Sequence, residues 1–121
     1  LIGFSGGGAI AILVAERNPM VKNIITIAGN LDHTEFTKHH NVSPMTGSLN
    51  PIDYTSSVKH IPQIHMSGNE DNIVPSYIAD KFTNKASSIC VKKELYPNVS
   101  HLDGWNKIWE DIHSKPINCN P

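Results

Sequence analysis

The sequence predicts an α/β protein built on a parallel sheet, and three observations carry that expectation. Runs rich in β-branched and apolar residues (VKNIITIA, IPQIHMS, ICVKKELY) alternate with stretches of helical character, the alternation that a parallel sheet with crossover helices requires. A glycine-rich turn, Gly3-Phe4-Ser5-Gly6-Gly7-Gly8, separates an apolar pair from an apolar helix-forming run. The charge is nearly balanced, with 10 Lys+Arg against 11 Asp+Glu and 39% apolar residues, which is the profile of one globular domain.

The same numbers exclude several classes. Charge is too sparse and aliphatic content too high for an acidic disordered chain. No apolar run approaches the ~18 residues of a membrane span. With a net charge of −1 there is no basic excess to neutralise nucleic-acid phosphates, so a nucleic-acid partner is not expected. Compartment stays open between cytoplasm and periplasm. The two cysteines do not decide it: Cys90 lies in an apolar run and reads as a small core residue, Cys119 lies in a Pro- and Asn-rich tail, and a disulfide between them is allowed but not implied.

Leu1-Ile2 leads into the glycine turn, and AIAILVAER, stopped by Pro19, predicts a mostly buried helix over 6–18. Residues 21–28 predict a strand ended by Gly29-Asn30. Residues 30–60 are polar and hold His33, His39, His40 and several prolines, so loops with short helices near 34–39 and 51–58 are expected. Residues 61–67 predict the next strand, and Pro75 a helix to about Ala86 as its first-turn proline. A strand over 89–96 and a helix over 105–113 complete the order, the helix placing Trp105, Ile108, Trp109 and Ile112 on one face for packing. The tail beyond residue 115 is expected to fray.

Gly3-Phe4-Ser5-Gly6-Gly7 matches G-x-S-x-G. A nucleophilic hydroxyl lifted off a strand end onto a helix start needs a strained, tight turn. Its neighbours two residues away on either side are then expected to lack Cβ atoms, hence Gly3 and Gly7. The helix start would aim N–H groups, Gly6 first, at a developing oxyanion. Gly6-Gly7-Gly8-Ala9-Ile10-Ala11 also fits G-x-G-x-x-A, with Asp32 just past the next strand as a ribose-binding acid. That reading makes a dinucleotide-binding domain of the chain but leaves Ser5 without a role.

Asp71, in SGNEDNIVP, closes a strand, and His101, in YPNVSHLDGW, follows the last one. Both fall where open α/β sheets build their sites, at the strands' carboxyl ends. Ser5, Asp71 and His101 thus occur in the order Ser…Asp…His. Taken together, GFSGG with its helix, SGNEDNIVP and NVSHLDGW resemble the C-terminal half of an α/β-hydrolase over most of residues 1–113. IAGNLDH and SLNPIDYTSSVKHIPQIH are similar to a group of uncharacterised bacterial hydrolases.

The resemblance implies a serine hydrolase acting on a small-molecule ester or related acyl bond, with no cofactor. Ser5 would be the nucleophile, His101 the general base and acid, and Asp71 the residue orienting it. Glu70 is the rival carboxylate, and Asp103 lies too close in sequence to His101 to be the default partner. A catalytically inactive relative is the third reading.

The partial hydrolase domain over 1–121 then divides into a nucleophile elbow (3–7), a lid-like connection (30–60), an acid loop (68–75) and a histidine loop (97–104). Phe36, Met45 and Tyr54 are candidates to line a pocket. His33, His39 and His40 lack metal-ligand spacing and read as solvated loop residues. His65 reads as a core or edge histidine. The resemblance further implies a missing N-terminal half, which supplies the remaining strands and the second oxyanion donor, so that residues 1–121 alone should be weakly active and poorly stable.

Overall fold

The computed structural model describes residues 1–114 and 116–121. Four strands, β1 (Ile2–Phe4), β2 (Ile24–Ile27), β3 (Gln63–Gly68) and β4 (Val91–Tyr96), form one sheet in the order β1-β2-β3-β4. All three pairings are parallel. Between them lie α1 (Gly6–Arg17), α2 (His33–His39), a 3₁₀ turn (Pro51–Tyr54), α3 (Thr55–Val58) and α4 (Tyr77–Ala86), with α5 (Trp105–Ile112) after β4.

The alternation along each strand builds two cores. Ile24 points to the side of α1, α3 and α4, joining Ile12, Leu31, Val58, Ile78 and Phe82. Ile25, Ile64 and Met66 point to the other side, under Ile112 of α5, with Trp105, Ile108 and Trp109 packed against them. A sheet covered on both faces explains why the inner strand β2, IITI, reads as a nearly unbroken apolar run.

The strands start later than their apolar runs suggest. Ile61 N–H is spent on Val58 O at the end of α3, and Pro62 has no N–H, so β3 begins at Gln63. Val91 N–H bonds Ser88 O in a turn, so β4 begins there. Pro75 stands just outside α4, where its carbonyl accepts from Ile78 N–H.

Three expectations are corrected. The first helix is not mostly buried: Gly8, Ala11, Ile12 and Ala15 form its inner face, while Ile10 is 63% exposed and Val14 39%. Cys90 is half-buried and disulfide-bonded to Cys119, not a free core residue. The tail is therefore anchored: the disulfide ties it to the start of β4, Lys92 Nζ bonds Asn120 O, and Ile117 packs on the α5-side core. No helix among the described residues is long and apolar enough to cross a membrane.

Candidate active site

The carboxyl ends of β1, β3 and β4 bring three sequence-predicted side chains into line. His101 Nε2 lies 3.1 Å from Ser5 Oγ, and His101 Nδ1 lies 2.9 Å from Asp71 Oδ2. An ionised carboxylate only accepts, so Nδ1 carries the proton and Nε2 presents its lone pair to the Ser5 hydroxyl.

Ser5 sits at φ 53°, ψ −119°, a region that costs an L-residue of order 1–3 kcal/mol. The turn is over-determined by its neighbours. Ser5 N–H donates to Ile27 O at 2.9 Å, and Ser5 O accepts from the N–H groups of Gly8 and Asn30, both at 3.0 Å. A Cβ on Gly3 would lie 2.2 Å from Gly7 O, a backbone clash that explains the glycine. Gly7 departs from expectation, because a Cβ there would meet nothing within 4 Å. The close approach is of the Gly3 side to the Gly7 backbone, so only Gly3 is sterically required. Gly8 is tight for another reason: its Cβ would lie 2.9 Å from Gly29 Cα, where α1 rests on the end of β2. Gly6 opens α1, so its N–H has no intrahelical acceptor.

Asp71 is buried at the mouth of the β3–α4 loop. Its Oδ1 accepts from the N–H groups of Ile73 and Val74 at 2.8 Å each, which leaves Oδ2 for His101. Glu70 beside it is exposed, as is Asp103, so the carboxylate at His101 is Asp71. The acid and histidine loops are locked together. Glu70 N–H bonds Val99 O, Asn98 N–H bonds Asn69 Oδ1, and a Cβ on Gly68 would stand 2.2 Å from Val99 O. His101 is held from behind, since its carbonyl accepts from Trp105 Nε1 at 3.2 Å and its ring tilts against Phe4 at 5.1 Å. Phe4, Ile27, Leu102, Trp105 and Trp109, with Asn106 and Glu110, line a mostly apolar hollow on the far side of the Phe4 ring that meets His101.

The other candidates have different work. Asp32 caps α2, accepting from Thr34 and Glu35 N–H groups and from Asn50 Nδ2, and lies 3.7 Å from Lys81 Nζ. Those partners occupy the acid that the dinucleotide reading needs. Among the described residues the strand order, β1-β2-β3-β4, shows no reversal at which a dinucleotide crevice would open. Phe36 packs on the larger core and against His40, whereas Met45 lies exposed over a polar hollow with His33 and Thr34, so they do not line one pocket.

The three histidines expected to be solvated loop residues lie in α2 or at its C-cap, and of them only His39 is exposed. His33 is buried, with Nε2 on Leu49 O. His39 and His40 reach the carbonyls of Asn72 and Ile73 in the acid loop, an arrangement that no spacing in the sequence signals. His65 is a core histidine, held between Thr26 Oγ1 and Gln63 Oε1, and burial lowers its pKa to about 3. Among the described residues no group of three His, Cys, Asp or Glu side chains is placed to hold a metal ion.

Comparison of the coordinates with solved structures finds close matches in fold. The esterase domain of a Rhodothermus marinus protein superposes with a TM-score of 0.68 at 22% identity, covering 88% of this chain and 52% of that one. An esterase from Pyrococcus furiosus superposes at 0.70 and 16% identity, covering 91% and 49%. The chain has the α/β-hydrolase fold. An acylaminoacyl peptidase from Pyrococcus horikoshii with this hydrolase fold matches at 0.70 and 16%, covering 87% of this chain and 20% of its own. The chain thus spans about half or less of the length of these structures. No protein-family model matches the sequence, and none of the curated proteins does.

Proposed function

We propose that the chain is the C-terminal portion of a serine hydrolase that cleaves an ester or related acyl bond of a small-molecule substrate. The observation that carries this reading is the hydrogen-bonded line from Ser5 Oγ through the His101 ring to Asp71 Oδ2. Ser5 Oγ attacks the acyl carbon while its proton passes to His101 Nε2. Asp71 holds the ring in the Nδ1–H tautomer and stabilises the imidazolium. Negative charge gathers on the carbonyl oxygen, where the Gly6 N–H and the start of α1 stabilise it. Collapse breaks the bond to the leaving alcohol, which takes the proton from His101. Water then attacks the acyl-enzyme by the same route and releases the acid and free Ser5.

This reading assigns the second oxyanion donor and the cover for β1 to an N-terminal half of the domain. Ile2 is 59% exposed and Phe4 42% on this edge strand, and loss of one oxyanion donor costs about 100- to 1,000-fold in rate. A fluorophosphonate probe tests the chemistry. Labelling that vanishes in Ser5→Ala is expected, and labelling that persists there, or never occurs even in a chain extended to the full domain, would sink the proposal.

A further inference from the structure

Two adjacent histidines at the end of α2 grip the loop that carries Asp71. His39 Nε2 lies 2.7 Å from Asn72 O, and His40 Nε2 lies 2.6 Å from Ile73 O. A carbonyl oxygen only accepts, so both rings donate. These carbonyls belong to the two peptide units whose nitrogens, those of Ile73 and Val74, donate to Asp71 Oδ1. Each peptide unit therefore receives a hydrogen bond at its oxygen and gives one at its nitrogen. Hydrogen bonds in series polarise one another, so donation at the oxygen strengthens the N–H that faces the carboxylate. Both series end on one oxygen of Asp71, whose other oxygen faces His101 Nδ1.

The rings are held for this task. His40 lies against Phe36 at 4.5 Å and meets His39 edge-on at 4.9 Å, and His39 meets Tyr77 of α4 at 6.4 Å. Asn72 and Ile73 are themselves exposed, so without the two imidazoles their peptide planes would be free to turn toward water and swing their N–H groups off Asp71. We propose that His39 and His40 are positioning residues: they fix the orientation and acceptor strength of Asp71, and through it the alignment of His101. The proposal rests on reading Asp71 as the acid of the hydrolase. His40, half-buried where His39 is exposed, competes less with water and carries the larger share.

The test is the double variant His39→Phe/His40→Phe, which keeps two rings in the slot and removes both donors. Its readout is the low-field proton NMR resonance of His101 Nδ1–H, assigned by its absence in Asp71→Asn. Expected is loss or a clear upfield shift of that resonance with an unchanged melting curve, and its return in His39→Gln/His40→Gln, which restores N–H donors. In the active full domain, kcat should fall about 10-fold or more with KM unchanged, the scale typical of an outer hydrogen-bond partner. A resonance unmoved in the Phe double variant overturns the proposal, as does a wild-type spectrum that lacks it. If the Phe variant melts earlier, the Gln pair decides: restored melting without restored resonance also overturns it. Ester turnover absent from the full domain would overturn the hydrolase reading while leaving the NMR result interpretable.

Discussion

At the residue scale, two glycines two positions from Ser5 behave oppositely. A Cβ added to Gly3 would stand 2.2 Å from Gly7 O, whereas one added to Gly7 would meet only open space. Gly3→Ala should therefore destabilise by about 2 kcal/mol or more, because backbone rather than a movable side chain must give way. Gly7→Ala should stabilise by about 0.5–1 kcal/mol, since it relieves the entropy cost of a helical glycine. Urea denaturation of both variants checks the contrast. G-x-S-x-G predicts the elbow from sequence, but it cannot say which glycine bears the contact, because that depends on where the first helical turn lands.

His65 gives a second residue-scale prediction. Its folded pKa is lowered from 6.5 to about 3 by burial, so the unfolded chain binds this proton at a higher pH than the folded one. The neutral ring's contribution is complete above about pH 6.5 and is lost as pH falls from there toward 3, at up to ~1.4 kcal/mol per pH unit. Urea unfolding at pH 7 and pH 5 should show a steeper loss in wild type than in His65→Gln. Equal slopes would mean that the imidazole is not buried neutral.

At the element scale, α4 ends on Ser87 at φ 48°, ψ 53°, with its N–H on Thr83 O. This is the left-handed helix stop that glycine adopts without strain. Ser87→Gly should raise stability by about 1 kcal/mol, read as a higher denaturation midpoint with an unchanged slope. Element order, the parallel pairing and the approximate bounds of the helices and of β2, β3 and β4 were legible in the sequence, because apolar periodicity and Gly/Pro punctuation report local structure. Strand starts were less legible. At Gln63 and Val91 they are set by which N–H groups the preceding turns consume, and hydropathy does not register this.

At the scale of the whole molecule, the Cys90–Cys119 bond closes a loop of sequence separation 29, worth about 3–4 kcal/mol in chain entropy. It fastens the tail and Ile117 beneath α5, the helix that directly follows the histidine loop. Reduction should lower Tm by roughly 10 °C, and Cys119→Ser should melt where the reduced wild type does. An unchanged Tm would show that the tail does not brace the α5-side core.

The sequence by itself determined the sheet's class and the sharp turn at Ser5, because each is written in contiguous motifs under local backbone constraints, and it put Asp71 and His101 forward as that serine's partners. Tertiary structure alone decided that Asp32 caps a helix, that Cys90 finds Cys119, and that His39 and His40 reach the acid loop. Those are contacts between segments far apart in the chain. Their partners are chosen by how helices and loops come to rest on the sheet, a three-dimensional outcome that no local pattern of residues encodes.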